Sequence, residues 1–414
     1  MGMEEVFVVG VGMTPFGRML DLDIKALTRM ATQAAVADAG LEIPDIQAAF
    51  FANVSQGHME GQHMIRGEIA LRSMGVGGIP VVNVENACAS GSSAFNLAVS
   101  HLKSGQSDVA LAVGAEKMYS LDRDLMFSIF DSGWDVTARD ATVARLTKMG
   151  EGITLPPGTT SNKPYSVFMD VYAAFSRFHM QRYGTTREQL AAVAAKNHNH
   201  SAHNPLSQFR NCYSVDDVLA APPIVYPLTL PMCAPISDGA AATLLCTKSG
   251  LGRLGLGGQR AVRVLASVIR SGSDRAAEDV EKHCTALGAR QAYEAAGVGP
   301  ADVSVAEVHD ATAMGEIIQL ENLGFCAFGE GGAISERGET AIGGRIPVNP
   351  SGGLESKGHP IGATGLGQIY ELVTQLRGEA GPRQVEGARI ALAENGGGIH
   401  GIEEAVGCIT ILGR

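Results

Sequence analysis

Two residues in this chain have the type and setting for nucleophilic chemistry. Cys88 lies in the small-residue turn Asn86-Ala-Cys-Ala-Ser-Gly-Ser, between an apolar strand and a helix. A thiolate is the nucleophilic form of cysteine, and the unpaired amides at a helix N-terminus lower a thiol's pKa. Ala87, Ala89, Ser90 and Gly91 leave room for an acyl group and let backbone amides approach its carbonyl oxygen. A buried structural cysteine is the commoner fate of a lone thiol, so the turn alone decides nothing. His359 opens a second helix in Gly358-His-Pro-Ile-Gly-Ala-Thr-Gly, where it can activate a thiol or protonate a leaving thiolate. Simple capping explains that segment poorly, because glycines and prolines at 350, 352, 353, 358, 360 and 362 crowd around one histidine.

His309 and Asp310 end the apolar run Val305-Ala-Glu-Val, and carboxyl ends of parallel strands are where α/β proteins bind ligands. Asn395-Gly-Gly-Gly-Ile-His-Gly ends another apolar strand. Its glycines permit close backbone approach to a substrate, or form a flexible surface turn. Two other motifs are discounted. His198, His200 and His203 have spacings that fit no helical zinc pair, so they are expected as surface histidines at a helix end. Gly10 to Gly17 lacks the GxGxxG spacing of a dinucleotide loop, and no GK[ST] motif follows. No metal site is expected.

The elements that position these residues alternate. Strands are predicted over Val6–Gly12, Ala48–Val54, Pro80–Val84 and Asp108–Val113, and helices over Ile24–Ala39, His63–Met74 and the stretch after Cys88. A similar order returns after residue 260: strands over Val262–Val268, Val303–Val308, Ala388–Ala393 and Ala405–Leu412, with helices over Val280–Ala296, Met314–Leu323 and from the His359 turn through Leu376. Such alternation implies an α/β fold with mostly parallel sheet, and the repeated order suggests an internal duplication. Tyr119–Pro235 breaks the pattern. It holds the single tryptophan, Trp134, and reads as a subdomain covering the substrate.

The 414 residues carry a net charge of −11, against the basic surface a general nucleic-acid binder needs. The first residues, Met1 to Gly17, read as a strand and turn with Glu4 and Glu5 in place of a basic leader. No run of about 18 apolar residues suggests a membrane span. Seven scattered cysteines without CxxC spacing fit free thiols in a reducing compartment, so a cytoplasmic enzyme is expected.

Taken together, these pieces resemble the thiolase family from end to end. Val9-Gly-Val-Gly-Met-Thr-Pro-Phe-Gly is similar to its opening strand and turn, and Asn86-Ala-Cys-Ala-Ser-Gly to its nucleophile turn. Pro235-Ile-Ser-Asp-Gly-Ala-Ala-Ala resembles the element that re-enters the core after the loop domain. Asn349-Pro-Ser-Gly-Gly through Gly358-His-Pro-Ile-Gly-Ala-Thr-Gly resembles the histidine loop, the most specific of the four.

The resemblance implies a thiolase fold, two αβαβα halves with mostly parallel five-stranded sheets and an inserted loop domain. Residues 1–250 would form the half carrying the nucleophile, with the loop domain at about 119–235, and 260–414 the half carrying the histidine loops. It further implies that Cys88 is acylated, that His359 activates it and helps hold the enolate oxygen, and that the amides of Cys88 and Gly396 form an oxyanion hole. Gly397, Asn349 and Gly353 are carried over as substrate-binding positions. His309-Asp310-Ala311-Thr312 is closest to the His-Asp-Cys-Phe of sterol-carrier-protein-2-type thiolases, which gives His309 a second oxyanion role. The second catalytic cysteine of the family is missing, with Glu394 and Ala311 at its two places. His359, His309, Glu394 and Cys326 are candidates for the α-proton base, in that order. The expected reaction is CoA-dependent cleavage of a branched, aromatic or steroid-like 3-oxoacyl-CoA through acyl-Cys88, with coenzyme A as co-substrate. Claisen condensation, retro-aldol cleavage and a non-catalytic subunit are the alternatives. A homodimer or higher oligomer and an OB-fold zinc-ribbon partner subunit are implied as well.

Overall fold

The structure is a computed structural model that describes residues 4–414; Met1 to Met3 lie outside the described residues. Nine strands form one sheet: β1 (Val6–Met13), β2 (Ala48–Ala52), β3 (Val81–Val84), β4 (Val109–Glu116), β5 (Gly239–Thr247), β6 (Val262–Ser271), β7 (Val305–Glu307), β8 (Ile390–His400) and β9 (Glu403–Gly413). Their order is β3-β2-β4-β5-β1-β6-β9-β8-β7. Pairing is parallel for β2 with β3 and β4, and for β8 with β7. It is antiparallel through the middle of the sheet, from β4–β5 to β8–β9. The halves meet where β1 pairs with β6 over two residue positions. The C-terminal half contributes four strands where five were implied. The place of the fifth is marked by a single parallel bridge, Ala306 to Val348, in a segment that Pro347 and Pro350 keep from extending a ladder.

Five helices complete the layers. Helix α1 (Ile24–Ala39) packs outside the N-terminal strands, buried through Leu27, Ala31 and Ala35 and ended by Gly40 in the left-handed region. Helices α2 (Ser90–Lys103) and α5 (Ile361–Arg377) share a core with strands of both halves. Helices α3 (Cys284–Ala296) and α4 (Ala313–Asn322) pack outside the C-terminal strands through Ala289, Tyr293 and Leu320. The order across the molecule is therefore α, β, α, β, α.

The central helices position the site. Gly365 of α5 faces Ser92 of α2 so closely that a Cβ at 365 would fall 2.1 Å from Ser92 Oγ. This small-residue contact sets the two helix N-termini side by side, with Cys88 leading into one and His359 into the other.

Two expected elements differ. The helix expected over His63–Met74 is shorter, Arg66–Arg72, starting after Ile65 at positive φ, and a separate short helix not expected from the sequence, Gln56–Glu60, precedes it and is ended by Gly61. Asn395 to His400 is not a turn. It is the second half of β8, paired with β9 out to Glu403.

Candidate active site

Strand β3 runs into a tight elbow before α2. Ala87 has φ +47°, a costly conformation for a residue with a Cβ, held by Ala89 N–H donating to Asn86 O at 3.0 Å and Ser90 N–H donating to Ala87 O at 3.1 Å. The strained residue turns Cys88 toward the interior.

His359 Nε2 lies 3.3 Å from Cys88 Sγ. Its Nδ1 lies 2.7 Å from Thr364 Oγ1, and that hydroxyl donates to Pro360 O at 3.2 Å. The hydroxyl has one hydrogen, so it accepts from Nδ1–H and the lone pair of Nε2 is left facing the thiol. Ser237 Oγ accepts the His359 backbone N–H at 2.9 Å and fixes the loop.

Burial keeps this pair neutral at rest. It holds His359 well below the usual imidazole range, with His309 adding to the effect. It pushes the Cys88 thiol up to about 12, helped by Glu116 and Glu85. The expected lowering by the helix N-terminus is outweighed here by desolvation and like charge. The arrangement can pass the thiol proton to Nε2 at the moment of attack, without a standing ion pair.

His309 stands beside them, with ring centroids 5.3 Å from His359. It is buried, and neither ring nitrogen has a partner among the described residues. Burial brings its pKa down to about 4, so it is a neutral imidazole with one N–H free for a ligand oxygen. One nitrogen or sulfur from each of Cys88, His309 and His359 lies within 4.8 Å of the others, the spacing of a three-ligand metal set as well as of a catalytic triad. A second group, His283, Cys284 and Glu403, suits a metal less well. Glu403 already accepts from Arg275 Nε at 2.6 Å and Ser273 N–H at 2.7 Å.

The glycines expected to contact substrate divide. A Cβ at Gly397 would fall 2.2 Å from Asn86 O, so the bare backbone of β8 presses on the nucleophile elbow. A Cβ at Gly396 would fall 2.6 Å from Glu404 Cγ and 3.2 Å from His309 Nδ1, so that glycine makes room for both side chains. Asn349 and Gly353 sit behind the site, away from the cavity wall. Asn349 donates to Glu316 Oε2 at 2.8 Å and accepts Val308 N–H at 2.9 Å. Gly353 opens a π-helical turn, Gly353–Lys357, whose amides at Leu354 and Glu355 donate to Asp310 at 2.7 and 3.3 Å. These residues hold the loops that carry His309 and His359.

Of the remaining candidates for the α-proton base, Glu394 lies behind His309. Its Oε2 accepts the His309 backbone N–H at 2.9 Å, and burial, with Glu404 and Asp310 nearby, raises it well above the carboxylate range. Cys326 packs against the C-terminal core. Neither lines the cavity, and Ala311 offers it only a methyl group.

That cavity, of about 1070 Å³, opens onto Cys88, His309 and His359. It is at the top of the range of about 300–1,000 Å³ for small-molecule sites. Much of its wall comes from residues 119–235, including Phe130, Tyr165, Phe168, Tyr172, Phe175 and Phe178. Trp134 stacks on Phe168 at 4.5 Å and stiffens that wall.

The site also holds residues that sequence reasoning passed over: Glu404 and His283 line the cavity, and Gln319 donates to Glu404 Oε1 at 3.0 Å. The histidines at 198 and 200 are not at the surface. His198 meets Pro231 O at 3.1 Å, and His200 donates from Nδ1 to Asn349 O at 3.0 Å while its Nε2 accepts Ile342 N–H. His200 is tied through both ring nitrogens, His198 also lines the cavity, and His203 is exposed.

A cysteine on a strained elbow, a histidine nitrogen 3.3 Å from its sulfur and an apolar cavity beside them form an arrangement suited to acyl transfer, on an αβαβα scaffold. Residues 6–213 match the family described as thiolase, N-terminal domain, and residues 266–413 match thiolase C-terminal domain-like. The chain is 38% identical over 406 residues to an acetyl-CoA acetyltransferase of Methanothermobacter thermautotrophicus, covering 96% of this chain and 98% of that one. It is 38% identical to human sterol carrier protein 2 over 402 residues, 95% of this chain and 70% of the relative. To a benzoylsuccinyl-CoA thiolase subunit of Thauera aromatica it is 33% identical, covering 95% of each. Among solved structures, an Ltp2-ChsH2(DUF35) aldolase superposes with TM-score 0.77 at 25% identity, over 99% of this chain and 98% of the other. The chain belongs to the thiolase family. It is a thiolase-type acyltransferase that works on acyl-CoA.

Proposed function

We propose that this enzyme cleaves a bulky 3-oxoacyl-CoA with free CoA through an acyl group carried on Cys88. The observation that carries the reading is the 3.3 Å contact between Cys88 Sγ and a His359 Nε2 whose lone pair faces the thiol. In this scheme His359 takes the thiol proton as Cys88 attacks the 3-oxo carbon. The expelled enolate oxygen is stabilised by the open N–H of His309, and CoA then releases the acyl group from sulfur. The amides of Cys88 and Gly396 hold the oxyanion of each tetrahedral intermediate. Volume and aromatic lining favour a ring-bearing or branched acyl chain, in keeping with the similarity to the benzoylsuccinyl-CoA thiolase subunit.

A retro-aldol activity is the second reading, favoured by the likeness to the aldolase structure. Free CoA separates the two, because aldol cleavage does not consume it. The same likeness, to a structure described as Ltp2-ChsH2(DUF35), supports a partner subunit, which the family resemblance implied would carry an OB-fold and a zinc ribbon. Self-association has its own support. β3 is an edge strand of the sheet, and Met64, Ile65, Val82 and Leu97 are exposed on it and on the segments beside it. We place the enzyme in the cytoplasm, where its seven free thiols would stay reduced.

The test is labelling with a radioactive acyl-CoA, with and without co-purified partner, followed by a screen of 3-oxoacyl-CoAs for CoA-dependent loss. Cys88→Ala should abolish covalent label. Label that still attaches to the variant would remove Cys88 as the acyl carrier.

A further inference from the structure

The family's α-proton chemistry has no cysteine to perform it here, since Ala311 and Glu394 occupy the two places. Glu404, at the start of β9, is differently set. It lines the catalytic cavity, and its side chain shares with His309 Nδ1 the space left by Gly396. Gln319 Nε2 donates to its Oε1 at 3.0 Å. His283 Nδ1 accepts Thr285 N–H at 3.2 Å, so the imidazole proton sits on Nε2, which lies 3.0 Å from Glu404 Oε2. The contact is at ion-pair distance without hydrogen-bond alignment, and no other donor among the described residues meets Oε2, so a lone pair of that buried oxygen stays open. The neighbouring Glu403 has no such freedom, being tied to Arg275, Ser273 and Cys284.

We propose that Glu404, held by His283 and Gln319 beside His309, is the catalytic base that takes the α-proton of the acyl-CoA and returns it to the enolate. In the condensing direction Oε2 accepts the proton from the α-carbon. The C–H electron pair becomes the enolate double bond, and charge moves onto the thioester oxygen that His309 N–H holds. The enolate carbon then attacks the carbonyl of acyl-Cys88, and the Cys88 sulfur leaves. Thiolysis runs the same steps in reverse: the proton released by the Cys88 thiol goes, in net, to the Glu404 carboxylate, and the resulting carboxylic acid gives it to the enolate carbon and is a carboxylate again. No further reactant is needed. Burial raises the Glu404 carboxyl while His283 draws it down to about 2, so it is ionised and ready to accept. Acyl-CoA filling the cavity displaces water and strengthens it as a base.

The inference rests on the acyl-Cys88 reading, and the experiment separates the two. Glu404→Gln is assayed in D2O with acetyl-CoA for exchange of the α-protons, and in parallel for acyl label on Cys88. Exchange should fall about a hundredfold or more while acylation stays within about threefold of the native enzyme. Glu404→Asp should recover part of the exchange. Three results would overturn the assignment: exchange within about threefold of native in Glu404→Gln, acylation falling in step with exchange, or no exchange by the native enzyme. Loss of Cys88 labelling in the native enzyme would instead strike the acyl-carrier reading alone.

Discussion

At the residue scale the centre of the site is a Cys88–His359 pair that burial keeps neutral at rest. Both members of the Cys88–His359 pair are shifted against charge, the thiol up to about 12 and the imidazole downward. Alkylation of Cys88 by iodoacetamide should therefore climb steadily between about pH 7 and 9, without the plateau of a preformed thiolate. His359→Ala removes the proton acceptor and should slow alkylation at neutral pH by about tenfold or more. An unchanged rate would show that His359 does not activate the thiol. Cys88 and His359 were legible because each lies in a short segment whose neighbours explain it. Glu404 was not, because its meaning comes from His283 and Gln319, distant in sequence and joined only by the packing of α3 and α4 against β9. His200 misled for the same reason: its partners, Asn349 and Ile342, are far along the chain.

At the element scale, glycine does two things that look alike in a sequence. The run Gly396-Gly-Gly suggested a turn, yet it is strand, registered against Gly407 and Val406 of β9. Its glycines are there for close approach. Strand β8 lies so near the elbow that a Cβ at 397 would overlap Asn86 O, and also Ala89 N at 2.7 Å. Neither backbone atom is free to move, because Asn86 O accepts the Ala89 amide that shapes the elbow. Gly397→Ala should cost about 1–3 kcal/mol of stability and misplace the nucleophile. The checks are a urea titration and the Cys88 alkylation rate. A variant with native stability and native reactivity would show that the strand can shift without disturbing the site. The helix order was legible from periodicity, and α1 falls on its expected residues. The fifth C-terminal strand was not, since two prolines reduce it to one bridge.

At the scale of the molecule, the layered core confines many ionisable groups, and their opposing linkages predict how stability depends on pH. His309 is brought down to about 4 and His200 to about 3, and His359 is also lowered, all chiefly by burial. Below the ordinary imidazole value of 6.5 the unfolded chain binds protons that the native state refuses. Their contribution to stability therefore rises with pH up to that point. The buried carboxyls act the other way. Asp310, Glu355 and Glu394 are raised well above their ordinary values, first by burial and then by neighbouring carboxyls (Glu316 at Asp310, Asp310 and Glu316 at Glu355, Glu404 and Asp310 at Glu394), and Glu116 is raised by burial to about 7. Above the unfolded carboxylate range the native state holds protons that the unfolded chain has released, so stability falls as pH climbs through the folded values. For Glu116 alone, a shift from 4.5 to about 7 amounts to about 3 kcal/mol across that window. Glu404 has the reverse sign, but its stabilisation is complete above its ordinary value of 4.5 and adds no slope near neutrality. The histidine and carboxyl terms overlap below about pH 6.5, and only the carboxyl term continues above it. With three histidines set against four carboxyls the two nearly cancel between about pH 4.5 and 6.5, so the thermal midpoint should change little there and decline from about pH 6.5 toward pH 9. Unfolding followed by circular dichroism in buffers from acid to alkaline would check this, and a midpoint still rising at the alkaline end would mean that the buried carboxyls are ionised in the native protein.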